Sequence, residues 1–167
     1  MENNRFEFLH EFLINLMAFA NAAQSLGLGQ RMLDLAVSYT KDRYQFNKPI
    51  GSFQAVKHVL ANVAIKLEFA KPSVYRAAHS LLKCVPKRSL HISHAKIAAC
   101  EAASLAAKNS LQAHGAMGYT WEYDLHIFIK RSLVLSSTGG DFGFHKARLL
   151  DSLLADDFQL GPTATFS

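Results

Sequence analysis

The sequence predicts an all-α chain, an antiparallel four-helix bundle with a short extra C-terminal helix. Three observations carry that expectation. Apolar residues recur at three- and four-residue spacing over long stretches. Gly, Pro and Asn gather in a few short segments between those stretches. No alternating run of useful strand length occurs, nor any internal repeat or low-complexity tract, so residues 1–167 read as a single domain.

The first helix is expected over about residues 5–41, with Phe8, Phe12, Leu16, Phe19, Ala23, Leu26, Leu33 and Val37 as its apolar face. Its middle is rich in small residues. Gly27 and Gly29 each cost about 1 kcal/mol relative to alanine inside a helix, so close contact with a neighbouring helix is expected there. Residues 41–52, KDRYQFNKPIGS, form a loop around Asn47, Pro49 and Gly51, and Ser52 is placed to cap the second helix. That helix spans about Phe53 to Leu82, with Pro72 inside it removing one hydrogen bond and bending it. After the turn CVPKRS, an alanine-rich third helix runs from Leu90 to about His114 and ends at Gly115 and Gly118. A fourth covers about Glu122 to Thr138, glycines at 139, 140 and 143 interrupt it, and Leu149, Leu150, Leu153 and Leu154 make a last short helix.

Half of the 167 residues are hydrophobic and 19% are charged. A chain this long buries roughly 70% of the surface its unfolded form exposes, enough for a core without disulfide or metal. Cys84 and Cys100 form no CxxC pair and lie in apolar stretches, so they read as buried free thiols of a reducing, cytoplasmic compartment. The net charge of +5 is spread along the chain. That pattern lacks the stripe or arm of a nucleic-acid binder and suits anionic small molecules, phosphates among them. At the N-terminus, MENNRFEFLHEF carries acid before any apolar run, and Asn15, Asn21 and Gln24 break the run after it. This reads as neither a secretory signal nor a membrane span.

Candidate chemistry narrows quickly. A carboxylate-bridged two-metal bundle needs two Glu-x-x-His pairs, and only Glu7 with His10 supplies one. His91 and His94 share a helix without an acid or cysteine to complete a set, so no metal site is expected and both read as helix-end or surface residues. No GxSxG elbow is present, and Gly115-Ala-Met-Gly118 follows a helix rather than the strand a dinucleotide fingerprint needs. Two places suit a phosphate. Arg43, in the loop after the first helix, can clamp a pyrophosphate, and the backbone at Gly115 can approach a ligand closely; a merely solvated loop arginine is the alternative.

Longer motifs then emerge. Arg43-Tyr-Gln-Phe46-Asn-Lys-Pro-Ile50-Gly-Ser-Phe-Gln54 resembles the R-x-x-F-x-x-x-I/L-x-x-x-Q motif of the acyl-CoA dehydrogenase family. Gln112-Ala-His-Gly115-Ala-Met-Gly118-Tyr-Thr-Trp-Glu122-Tyr-Asp-Leu-His126, followed by Lys130-Arg131, is similar to its second signature, and Leu26-Gly27-Leu28-Gly29-Gln30 to the middle of a long helix in the same family. The resemblance runs over nearly the whole chain but covers only the family's C-terminal helical domain, without the N-terminal helical and central β domains. It implies a subunit interface that contacts FAD held by a neighbouring subunit, in a homo-oligomer or in a hetero-oligomer with a related subunit. Arg43 would meet the FAD pyrophosphate with Gln45, Phe46 and Gln54 beside it, while Gln112, Gly115 and Ala116 would lie near the adenine side.

The resemblance also implies α,β-dehydrogenation of an acyl-CoA, in which a carboxylate removes the proton alpha to the thioester. Here the aligned position of that glutamate falls on about Gly140, and the first-helix alternative used by some members is Met17. Asp141 is the one acid nearby; it reads as a displaced base or as the N-cap of the final helix. Three functions are compatible with this: an accessory subunit whose partner supplies the base, in a family where such pairs often take bulky or steroid-derived acyl-CoA; an active subunit using Asp141; or a helical interaction module without flavin. In each of them the isolated chain is expected to be inactive.

Overall fold

The computed structural model describes residues 2–155, and the ends of the expected 1–167 domain lie outside that range. Five helices follow one another: α1 (Glu2–Asp42), α2 (Gln54–Leu82), α3 (Arg88–His114), α4 (Leu125–Ser137) and α5 (Phe142–Leu153). Between α1 and α2 the expected loop contains a small antiparallel hairpin, β1 (Tyr44–Gln45) and β2 (Lys48–Pro49), then a 3-10 turn at Ile50–Ser52. A second 3-10 turn, Gly115–Tyr119, follows α3. The central helix is α3, which packs against α1, α2, α4 and α5.

Small side chains make this core. Ala95, Ala99, Ala102, Ala103 and Ala106 of α3 are buried, and α1 turns Ala18, Ala22, Ser25, Met32 and Ala36 inward. This corrects the face expected for α1. Phe8, Phe12 and Leu16 are exposed and Asn15, Ala18, Asn21, Ala22 and Ser25 are buried in their place, whereas Leu33 of the expected face is buried as expected. The reason is steric, because a side chain built on Gly29 would stand 2.7 Å from Leu67 Cδ2 and 3.3 Å from the Ala103 Cα. Gly27 behaves differently from the expectation, since a Cβ there would meet nothing within 4 Å. By length and composition alone Phe6–Asp42 could cross a membrane, and a third of its most apolar window is buried in the bundle. Asn15, at the inner face of that helix, donates to Ser89 Oγ at 2.9 Å and accepts from Arg148 at 3.0 Å, which ties α1 to α3 and α5.

Other local expectations need correction. Ser52 does not cap α2; its hydroxyl donates back to the Pro49 carbonyl at 2.7 Å, and Phe53 holds the cap position without a side-chain bond. Helix α5 begins at Phe142, well before Leu149, because Asp141 accepts a hydrogen bond from Phe144 N at 2.8 Å and so nucleates the turn that contains Gly143. Cys84 is exposed and Cys100 half-buried, both unpaired, so neither is the fully buried thiol expected. Helix α2 does continue through Pro72, which sits on its exposed side.

His91, in the first turn of α3, is buried against α2. The single hydroxyl proton of Ser80 goes to the Arg76 carbonyl, so the imidazole Nδ1–H donates to Ser80 Oγ at 2.6 Å. Burial, with the cationic neighbours Arg76, Lys87 and His94 adding to it, lowers the His91 pKa to about 4.

Two measurements check this packing. Gly27→Ala should stabilise the chain by up to about 1 kcal/mol, the helix propensity difference with nothing opposing it. Gly29→Ala, two residues away, should destabilise it by about 1–3 kcal/mol through overpacking; urea unfolding of both variants reads the opposite signs. The second measurement is stability against pH. The folded state keeps His91 neutral, so its contribution is present above pH 6.5 and is lost as pH falls toward 4, by up to about 3 kcal/mol. His91→Asn, which keeps a donor for Ser80 and cannot titrate, should flatten that slope.

Candidate functional site

Two segments far apart in sequence form one edge of the bundle. The end of α1 and the 112–118 segment meet in a cleft of about 360 Å³ whose walls include Arg43, His114 and Met117. Arg43 is exposed, and its main chain is pinned on both sides: its N–H donates to Tyr39 O at 2.9 Å and its carbonyl accepts from Ile50 N at 2.8 Å. Gln45 and Phe46 stand on the hairpin just after it, and Gln54 opens α2; all three are exposed. Phe46, with φ of 51°, and Asn47, with φ of 61°, form the two-residue hairpin turn in left-handed geometry, which suits asparagine but strains a phenylalanine. The turn presents the Phe46 ring 86% exposed, while Phe53 behind it packs edge-on at 6.2 Å and lies under Lys48 Nζ.

Gln112, Gly115 and Ala116 are also exposed. Gly115 has φ of 59°, as a helix-ending residue in left-handed geometry requires, and the space where its side chain would be is open. Beneath it His114 is buried, stacked on Tyr39 at 4.4 Å between ring centres and edge-on to Tyr123 at 5.5 Å. Its Nδ1–H donates to Ser110 O at 2.7 Å, and its Nε2 has no protein partner. Sequence reasoning misses this histidine, although it stands inside the second family signature.

The positions expected to carry a catalytic carboxylate come together farther along α3, near Ser93 and Lys96. A side chain built on Gly139 would lie 3.2 Å from Ala18 N and 3.3 Å from the Met17 carbonyl carbon, so the α4–α5 loop sits directly on the α1 position at issue. Gly140, with φ of 95°, is closed: a Cβ there would be 2.5 Å from Phe144 Cδ1 and 2.7 Å from His145 Nε2. Met17 is partly exposed and carries no acid, and the Asp141 carboxylate is engaged by Phe144 N.

Buried polar groups fix this loop. Lys96, 2% exposed on the alanine face of α3, donates its ammonium to the carbonyls of Leu135 and Thr138, a cation at the C-terminal end of α4. Burial lowers its pKa. Asn21 Nδ2 donates to Thr138 O at 2.7 Å. His145 is fully buried; its Nε2–H donates to Gly139 O at 3.0 Å, Nδ1 accepts from Ser93 Oγ at 3.0 Å, and burial lowers its pKa. A lysine at 96 within the buried stripe of Ile92, Ala95 and Ala99 is the available sequence signal for this clamp. Among the described residues no three His, Cys, Asp or Glu side chains gather as a metal set.

Comparison with known proteins agrees with this arrangement. A family model described as acyl-CoA dehydrogenase, C-terminal domain, matches residues 6–154. Acyl-CoA dehydrogenase IpdE2 of Mycobacterium tuberculosis is 40% identical over 66% of the chain, which spans 33% of that protein. A glutaryl-coenzyme A dehydrogenase in complex with glutaryl-CoA superposes with a TM-score of 0.80 at 32% identity, over 86% of this chain and 36% of the other. The ChsE4–ChsE5 complex of Mycobacterium tuberculosis gives 0.80 at 25% identity, over 88% of this chain and 40% of the matched one. The chain therefore spans about a third of the length of the curated relatives it matches. With the motif-bearing edge, the all-helical architecture and the match over residues 6–154 in agreement, the chain belongs to the acyl-CoA dehydrogenase family and carries its C-terminal domain.

Proposed function

We propose that this chain is the C-terminal domain of a flavin-dependent acyl-CoA dehydrogenase-type subunit that lacks its own catalytic base and completes a site with a related subunit. The observation that carries the proposal is the state of the base locus. Met17 and the 139–140 glycines meet there without an acid, and a Cβ on Gly140 would collide with the Phe144 and His145 rings unless they shift. Asp141 is the nearest carboxylate, but it caps α5. A base has to be held within hydrogen-bond reach of the carbon acid, and a carboxylate committed to a helix cap is held elsewhere.

The opposite edge supports the cofactor half of the proposal. FAD fits the residues present: an exposed guanidinium for the pyrophosphate, an exposed aromatic ring on a strained hairpin, and open space over the Gly115 main chain. Arg43 would bind the phosphates, Phe46 and Gln45 would flank them, and Gln112, Gly115 and Ala116 would line the adenine side. When bound, the flavin supplies the hydride acceptor for dehydrogenation of an acyl-CoA. This chain's own contribution is to bind and orient the cofactor across an interface, with the proton taken by the partner.

The exposed apolar residues Phe8, Leu9 and Leu13, close together on the first turns of α1, favour an assembled state over a stand-alone module, because grouped apolar surface marks an interaction site. Relatives support the same point: the ChsE4–ChsE5 structure is a complex of two different subunits.

Co-purification of the chain with a related acyl-CoA dehydrogenase subunit should give a yellow complex with flavin absorbance. Arg43→Ala should lower the flavin content at least tenfold without unfolding the bundle, since charge-assisted contacts to phosphate are worth about 1.5–3 kcal/mol. A colourless complex would overturn the cofactor assignment. Asp141→Asn, which still caps a helix, should leave turnover of the assembly intact; loss of turnover in that variant would place the base on this chain instead.

A further inference from the structure

Lys96 and Cys100 stand one turn apart on the same face of α3, and both line a cleft of about 180 Å³ between that helix, the end of α4 and the start of α5. The lysine is 2% exposed and the cysteine half-buried. Ser25 Oγ of α1 also reaches the Cys100 sulfur, at 3.6 Å. Burial lowers the Lys96 pKa, and the Cys100 sulfur beside it acts in the opposite sense. The carboxylates on the walls of the cleft are engaged elsewhere, Glu101 by Lys66 and Asp141 by Phe144 N. What the cleft offers a small molecule is therefore an amine and a thiol held side by side. Cys84 is no rival partner for that thiol within one chain. It lies in the turn before α3, bonded back to Leu81 at the close of α2, whereas Cys100 stands about 18 Å along α3 from Arg88.

We propose that Cys100 is a peroxide-sensitive thiol whose sulfenic acid is captured by Lys96 as a reversible sulfenamide cross-link. In the first step the sulfur attacks one oxygen of hydrogen peroxide and the O–O bond breaks. The thiol proton leaves with the departing hydroxide as water, so the sulfur is oxidised and the peroxide reduced. In the second step Lys96 gives one ammonium proton to solvent and its nitrogen attacks the sulfenic sulfur. An N–S bond forms, the S–OH bond breaks, and hydroxide leaves with a proton from the nitrogen as a second water, without further change of oxidation state. A dithiol reductant reverses the link, closing to its own disulfide and returning the Cys100 thiol and the Lys96 amine. The link also has a mechanical effect, because the nitrogen it takes is the one that holds the loop between α4 and α5. Drawn onto Cys100, Lys96 Nζ leaves the carbonyls of Leu135 and Thr138. None of this depends on the flavin reading.

Mass spectrometry of the 167-residue chain carrying Cys84→Ser, which removes the exposed thiol, tests this after treatment with hydrogen peroxide. The intact mass should fall by about 2 Da, the two hydrogens lost on forming the link. Trypsin should fail to cut after Lys96, leaving residues 89–108 in one piece, and dithiothreitol should restore both the mass and the cleavage. Cys100→Ser should abolish the change. Lys96→Met should turn the loss into a gain of about 16 Da, the sulfenic acid left uncaptured; peptide mapping of the chain that keeps Lys96 decides the matter even where that variant does not fold. Amide exchange at Thr138, whose N–H donates to Val134 O, should quicken by about tenfold in the linked chain. A gain of mass in the chain that keeps Lys96, a loss of mass with cleavage after Lys96 unimpaired, or no reaction at Cys100 would overturn the cross-link. Unchanged exchange at Thr138 in a linked chain would overturn its effect on the loop.

Discussion

Everything in this fold depends on how closely α1 can approach α3. Leu67 Cδ2 and the Ala103 Cα occupy the space where a side chain on Gly29 would go, and the alanines of α3 keep the same spacing along the contact. Small residues bury little area each, at about 25 cal/mol per Å², so such a core gains from dense backbone contact rather than from large side chains. The consequence reaches beyond stability. With α1 set this close, its Met17–Ala18 backbone lies directly against the Gly139 loop. Packing at Gly29, some three turns away along α1 at about 5.4 Å per turn, thus acts together with the loop's own glycines and its bonds to Asn21, Lys96 and His145 in setting where residues 138–140 lie.

An alanine face also leaves room for polar groups that a leucine core would exclude. Lys96, Ser93 and Ser110 all sit within it, and each bonds to a carbonyl or imidazole of another element. Lys96 is the clearest case. A buried ammonium is destabilising unless it is well bonded, and here two carbonyls at the end of α4 receive it, with the favourable sign for a helix C-terminus. The same pair of bonds, joined by Asn21 and His145, holds residues 138–140 in place. Core packing and the position of the 138–140 loop thus form one connected arrangement.

Much of this was legible from the residues. The helices, the Gly115 stop and the motif-bearing segments follow from periodicity, glycine geometry and local chemistry, and they appear where expected. What misled was side-chain size. Phe8, Phe12 and Leu16 form an apolar stripe, yet helix faces in this bundle are selected by how near backbones come, so the inward positions are Asn15, Ala18, Ala22 and Ser25. The leucines at 149–154 mark only the end of α5 because Gly143 counts against a helix in isolation, whereas the N-cap reading of Asp141 marks its start, and the cap with the His145 contacts supplies what propensity lacks. Convergence of Met17 with Gly139 follows only from the resemblance, which gives both segments one role; periodicity and local chemistry do not join residues more than a hundred positions apart.

The places where local rules fail are also informative about function. Phe46 adopts a left-handed conformation costing about 1 kcal/mol or more for a side chain with a Cβ, and it does so to hold its ring in solvent. His114 leaves an acceptor unpaired in a buried position. Phe8, Leu9 and Leu13 expose successive turns of an apolar helix. In a chain selected only to fold, each would be replaced readily: an Asn-Gly turn, a phenylalanine, a row of lysines. Sequences depart from local consistency mainly where a partner or ligand supplies the missing term, and two of these three departures lie along the edge that bears Arg43 and Gly115. Phe46 and His114 thus place a strained turn and an unpaired buried acceptor on the same edge of the bundle as Arg43 and Gly115.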